Sequence, residues 1–255
     1  MIETLPQPIV FAHRGASAYA PENTLAAFHL ALAQGAPAIE FDVKLSADGE
    51  VVVIHDQTVD RTTNASGNVA RLPFDALREL DAGSWFGAGF HGEKIPSLHE
   101  VFAAFGDVLL MNVELTNYAT PFDALVPKVV DLVKRYGVEK HIWFSSFSPH
   151  NLMRAAQLLP TVPRAQLIWP GPLGGWQRTW GRVINVQAEH PWKDDVTTET
   201  IQTAHRHKRR IHTWTVNTPE DMRRLTALGI DGFFTDDPLT ALEIVNPKSA
   251  IQNRK

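Results

Sequence analysis

The chain has 255 residues, 44% hydrophobic and 20% charged, with a formal net charge of -4. That is the make-up of a globular protein able to bury a large core, and its charge gives no footing for nucleic acid or an anionic membrane surface. It has no cysteine, which excludes disulfides and thiolate metal sites.

Residues 1–8 lack the basic and apolar regions of a secretory signal, which favours the cytoplasm, and no run of eighteen apolar residues suggests a membrane span. Ile9 to Ala12 reads as a strand leading into His13-Arg14-Gly15, and Pro21-Glu22-Asn23-Thr24 opens a helix that Gly35 stops. Ala38 to Leu45 and Val51 to Ile54 read as strands joined by a turn at Asp48-Gly49. From about 57 to 96 the texture becomes loop-like and Gly-rich, with a short helix at Phe74 to Leu80. Its apolar content is too small for a core of its own, so it reads as an inserted subdomain.

Alternation then resumes. Helices are expected at Leu98 to Phe105, Phe122 to Tyr136, Ser148 to Leu159, Trp176 to Trp180, Thr198 to His207, Pro219 to Leu228 and from Pro238. Between them lie strands at Val108 to Leu115, His141 to Phe147, Arg164 to Trp169, Val183 to Ala188, Ile211 to Val216 and Gly232 to Thr235. The tail after Val245 is expected to fray. Eight strand–helix pairs with no internal repeat predict one α/β domain over residues 1–255, a (β/α)8 TIM barrel with a small insertion after strand two.

The chemistry concentrates on two strands. In Ile39 to Leu45 the odd positions are apolar, while Glu40, Asp42 and Lys44 share the other face; in Met111 to Thr116 the polar face holds Asn112, Glu114 and Thr116. Half-exposed antiparallel strands carry such patterns too, but two of them flanked by helices fit a barrel better. Neighbouring carboxylates repel, and a divalent cation is the natural neutraliser. A barrel keeps its site at the C-terminal ends of its strands. That rule selects His13, Arg14, Glu40, Asp42, His55, Asp56, Glu114, Thr116, Ser145, Ser146, Gln187, Glu189, Trp214, Asn217, Asp236 and Asp237. Oxygen-only ligands favour Mg²⁺ or Ca²⁺ over Zn²⁺.

The ordered series His13-Arg14-Gly15, Pro21-Glu22-Asn23-Thr24, Ile39 to Asp56, Arg61 to Gly67, Leu80 to Phe86, Ile95 to Leu98, Asn112 to Leu115 and Thr213 to Asn217 resembles the glycerophosphodiester phosphodiesterase family over about residues 8–245. The resemblance implies a barrel enzyme that hydrolyses glycerophosphodiesters, a small-molecule substrate, to sn-glycerol 3-phosphate and an alcohol. It implies one divalent cation on Glu40, Asp42 and Glu114, with His13 and His55 as acid and base. Arg14 then suits a phosphate clamp and Trp214 an apolar wall for the glycerol carbons. One departure stands out: the family pattern has a lysine two residues after the third carboxylate, where this chain has Thr116, expected to bind substrate through its hydroxyl alone.

His29, His91, His99, His141, His150, His205, His207 and His212 read as surface or core histidines, and His190 as a candidate pocket residue. Trp176, Trp180 and Trp192 read as packing or lip residues; at the lip they would suit an alkyl chain. Arg206 to Arg210 reads as a solvated helix end. The rival functions are a lysophospholipase D-like enzyme and a catalytically weak binder of phosphate esters, and a monomer or homodimer is expected.

Overall fold

The computed structural model describes residues 7–246, so all but the first residue of the tail after Val245 lies outside the described residues. The strands are β1 (Ile9–His13), β2 (Ala38–Leu45), β3 (Val51–Val53), β4 (Leu110–Leu115), β5 (Ile142–Ser146), β6 (Arg164–Leu167), β7 (Ala188–His190), β8 (Arg210–Thr213) and β9 (Gly232–Thr235). Between them run α1 (Leu25–Ala33), α2 (Phe74–Glu79), α3 (Leu98–Phe105), α4 (Leu125–Tyr136), α5 (Pro149–Leu158), α6 (Pro172–Val183), α7 (Thr198–Arg206), α8 (Pro219–Ala227) and α9 (Pro238–Val245). All strands but β3 pair in parallel, and β1 closes the ring by pairing with both β2 and β9. This is the expected (β/α)8 barrel, with β3 antiparallel on β2 as an outer hairpin.

Closure explains why the polar faces of β2 and β4 are not solvent faces. Ile39, Phe41 and Val43 point outward and join Phe28, Phe102, Phe105, Val129 and Val130 in the layer between barrel and helices. Ile9, Phe11, Ala38, Leu110, Trp143, Ala165, Ala188 and Phe234 fill the axis below the site. Helix starts are set locally. Thr24 accepts a hydrogen bond from the Ala27 amide, Ser97 and Glu100 form a capping box on α3, and Ser148 with Pro149 opens α5.

One stretch departs from expectation. Residues 183–188 were expected as a strand, but α6 runs through Val183 and β7 begins only at Ala188. Pro172, in the first turn after Gly171, starts the helix earlier than expected, and Asn185 at φ 50 makes the turn out of it. The shift changes parity. Ala188 and His190 face the axis, while Glu189 turns out onto Arg209 at 2.9 Å and Arg178 at 3.5 Å. Gln187 precedes the strand and its side chain accepts from the Arg164 amide. Neither Gln187 nor Glu189 belongs to the mouth.

In the 57–96 segment, Val59, Val69, Leu77, Ala82 and Ile95 pack on Val52 and Ile54 of the hairpin. No helix of the described residues is long and apolar enough to cross a membrane.

Candidate active site

A cavity of about 140 Å³ opens at the C-terminal ends of the strands. His13, Arg14, Glu40, His55, Asn112 and Glu114 line one side, and Phe147, Leu167, His190, Trp214, Thr215 and Phe234 the other. The β2–β4 register builds its acidic part. Glu40 lies beside Asn112 and Asp42 beside Glu114, so carboxylate oxygens of Glu40, Asp42 and Glu114 gather within 4.8 Å of one another. Glu40 and Asp42 are buried. Burial, then the charges of Asp42 and Glu114, pushes Glu40 well above the carboxylate range, and burial with Asp42 pushes Glu114 up to about 8. Burial would raise Asp42 as well, yet Arg14, His55, Asn23 and Lys44 hold it below its ordinary value.

These residues fit a hard divalent cation. The donors are oxygens, two of the carboxylates resist ionising without a positive neighbour, and the buried Asn112 Oδ1 beside them has no hydrogen-bond partner among the described residues.

The β1 loop supplies the positive side. Arg14 adopts φ 55 and Gly15 φ 86, and a Cβ on Gly15 would stand 2.7 Å from the Ala27 carbonyl carbon, so only glycine lets the loop lie on α1. The Arg14 amide donates to Glu40 Oε2 at 3.1 Å, while its guanidinium donates to Glu22 at 2.8 Å and stands 3.4 Å from Asp42. Asn23 donates to Asp42 at 3.0 Å. Glu22 also takes two bonds from Arg61, which grips Asp56 in turn, so the 57–96 stretch is tied to the site through Arg61.

Each candidate histidine is held at one nitrogen by an aspartate. His13 Nδ1 lies 2.6 Å from Asp236 Oδ1, and His55 Nδ1 lies 2.7 Å from Asp56 Oδ1. With Nδ1 on a carboxylate, Nε2 is the atom left for proton transfer; that of His13 stands 3.9 Å from Glu40. Hydrogen bonding to Arg61 is the main cause holding Asp56 well below its ordinary range.

The remaining expectations divide. Trp214 is on the cavity wall, its indole N–H donating to the His190 carbonyl, with Trp192 packed edge-on behind it. Phe147, which sequence reasoning passed over, stacks on Trp169 and meets Trp214 edge-on. Trp176 is largely exposed and lies against Trp180 on α6. Ser145 accepts from Asn112, whereas Ser146 turns outward to the Leu115 carbonyl. Asn217 braces Asp236, and Asp237 is spent capping α9. Thr116 is not on the cavity wall: it is buried and accepts from Lys44 at 2.7 Å.

His190 lines the cavity floor, and its Nε2 lies 3.1 Å from Nδ1 of His212. Both rings are wholly buried, and burial lowers both, His212 to about 3. Between about 3 and the ordinary value of 6.5 the unfolded chain takes a proton on His212 that the fold refuses, so stability is lost as pH falls. With saturating divalent ion, moving from pH 7 to pH 5 removes about 2 kcal/mol more stability from the wild type than from His212→Leu. Urea unfolding at the two pH values checks this, and equal losses would refute a neutral buried His212.

The sequence pattern described as "Glycerophosphoryl diester phosphodiesterase family" matches residues 13–240. The chain belongs to that family. It is 37% identical over 238 residues to a glycerophosphodiester phosphodiesterase of Caldanaerobacter subterraneus subsp. tengcongensis, covering 93% of this chain and 97% of the relative. It is 32% identical to one of Bacillus altitudinis, over 92% of this chain and 97% of that one. Among solved structures it is similar to an Oleispira antarctica phosphodiesterase in complex with the product sn-glycerol-3-phosphate. There the TM-score is 0.83 at 30% identity, over 96% of this chain and 98% of that one.

Proposed function

We propose that the protein hydrolyses glycerophosphodiesters to sn-glycerol 3-phosphate and an alcohol, with one Mg²⁺ or Ca²⁺ on Glu40, Asp42 and Glu114 and with His13 and His55 as the acid–base pair. The observation that carries this reading is the joint arrangement of the site. Two histidines, each fixed at Nδ1 by an aspartate, line the cavity that holds the one three-carboxylate cluster found among the described residues. The family membership and the product named for the Oleispira antarctica relative support the choice of substrate.

When bound, the cation supplies charge that neutralises phosphoryl oxygens as the transition state develops. The protein's own groups do the rest. One histidine takes a proton from the nucleophile as the new P–O bond forms: water gives glycerol 3-phosphate directly, whereas the glycerol 2-hydroxyl gives a cyclic phosphate that water then opens in a second such exchange. The other gives a proton to the alkoxide as the old P–O bond breaks. Arg14 compensates Asp42 and keeps positive charge at the cavity wall. Trp214, Phe147 and Phe234 form an apolar wall suited to glycerol carbons. Residues 57–96 act on this reading as a cap within one domain, holding Asp56 and Glu22 through Arg61.

A second reading, hydrolysis of lysolipids, draws on the aromatic run from Trp214 through Phe147 to the half-exposed Trp169, a path out of the cavity for an alkyl chain. One experiment tests both. Chelator-stripped enzyme is given glycerophosphocholine or lysophosphatidylcholine with Mg²⁺, Ca²⁺ or neither, and glycerol 3-phosphate, lysophosphatidate and choline are measured. Ion-restored release of glycerol 3-phosphate is the expected result. Turnover of lysophosphatidylcholine alone would favour the second reading, and turnover of neither substrate would sink both.

A further inference from the structure

We infer that Lys44 is an electrostatic positioning residue of this site: its ammonium, seated on Thr116, supplies beside Asp42 and Glu114 the positive charge that a lysine at 116 would carry. Register makes the argument. The inward positions of β2 and β4 run in parallel rungs, Glu40 beside Asn112 and then Asp42 beside Glu114. The pairing continues past β4, where the Thr116 amide donates to the Val43 carbonyl at 3.3 Å. Lys44 and Thr116 are therefore the next rung toward the mouth. Lys44 Nζ donates to the Thr116 hydroxyl at 2.7 Å and to its carbonyl at 3.0 Å, while that hydroxyl donates to Val43 at 2.8 Å.

Lys44 is 8% exposed, which is unusual for lysine without a charge to answer. Its two hydrogen-bond acceptors are neutral; burial holds the ammonium below the usual lysine range, and the charges that offset part of this are Asp42, Glu114 and Asp56. Lys44 and Thr116 line a separate cavity beside the catalytic one, with Gln57, Asn117 and Asp123. The ammonium thus touches neither candidate histidine nor the catalytic cavity, and acts through the carboxylates. Formal charges show what it balances. The three carboxylates, a divalent cation and a phosphodiester anion sum to two negative charges, and Arg14 and Lys44 are the arginine and the lysine whose charges act on both Asp42 and Glu114.

A fixed positive charge at this place has opposite effects on the two ligands: it weakens a cation on the triad and favours the phosphodiester anion. Lys44→Gln keeps a donor to Thr116 and removes the charge. Calorimetry with Mg²⁺, Ca²⁺ or Mn²⁺ alone should find tighter cation binding, by roughly fivefold, while KM for glycerophosphocholine rises by a similar factor at saturating ion. Lys44→Gln with Thr116→Lys returns both quantities toward the wild type, as does Lys44→Arg alone. A merely structural role weakens both ligands together, and that outcome overturns the inference, as does a double variant no better than Lys44→Gln. This role rests on the phosphodiesterase reading only for the KM half. If the wild type turns over no glycerophosphodiester, that reading fails, while the cation titrations still decide for or against Lys44.

Discussion

His13→Ala is expected to lower kcat by about 10³-fold or more while leaving divalent-cation affinity and thermal stability close to wild type. The ring is anchored at one atom and presents the other. Nδ1 is taken by Asp236, and Nε2 is near Glu40 without being a hydrogen-bond partner of it. Removing the imidazole leaves the carboxylate cluster intact but deletes one of the two proposed proton-transfer groups. Asp236→Asn separates orientation from chemistry. The aspartate accepts from His13, from Ser17 at 3.1 Å and from Asn217 at 2.5 Å, so an amide there must turn a donor toward one of these partners or lose a bond. The favoured His13 tautomer is disturbed, and kcat falls by about 10- to 100-fold with KM little changed. Steady-state kinetics and cation titration of both variants check this. A His13→Ala enzyme within about tenfold of wild type would remove His13 from the mechanism.

Much of this site is legible in the sequence, for a definable reason. Strand alternation has a period of two, so Glu40, Asp42 and Glu114 declare their common face without knowledge of the fold, and His13 and His55 declare theirs by following apolar strands. What local pattern cannot give is the neighbour. Asp236 orients His13 from 223 residues away, and only closure of β1 against β9 brings the two together. The pairing of Lys44 with Thr116 needs the β2–β4 register, which the sequence does not state. Thr116 by itself reads as a missing charge; with its neighbour it reads as the seat of one. The error at Glu189 has the opposite origin. Ile184, Val186 and Ala188 alternate with Asn185 and Gln187 like a strand, yet the first two pack with Leu152 outside the barrel and only Ala188, where β7 begins, faces the axis, so the expected faces are reversed. His190 emerges on the cavity floor because of that reversal.

The acidic cluster carries the other large effect, and its sign is unusual. Glu114→Gln is expected to raise the melting temperature of the metal-free protein by at least about 3 °C, roughly 1 kcal/mol for a domain of this size. The same substitution abolishes the stabilisation given by Mg²⁺ or Ca²⁺ and lowers kcat by about 10³-fold or more. Burial and Asp42 push Glu114 up to about 8, above its unfolded value of 4.5. Between those values the unfolded chain releases a proton that the metal-free fold retains, so stability falls as pH rises through that window. Glutamine keeps the shape and still accepts from Tyr118, which donates to Glu114 at 2.8 Å, but it carries no charge to be repelled. Excess cation reverses the ranking, because only the wild type gains by binding it. Melting curves at pH 7.5, with chelator and with each ion, are the measurement. A Glu114→Gln protein that melts below the wild type in chelator would mean that Tyr118, Arg14 and Lys44 already satisfy the third carboxylate. The triad would then be a settled polar network and not a cluster strained for want of a cation.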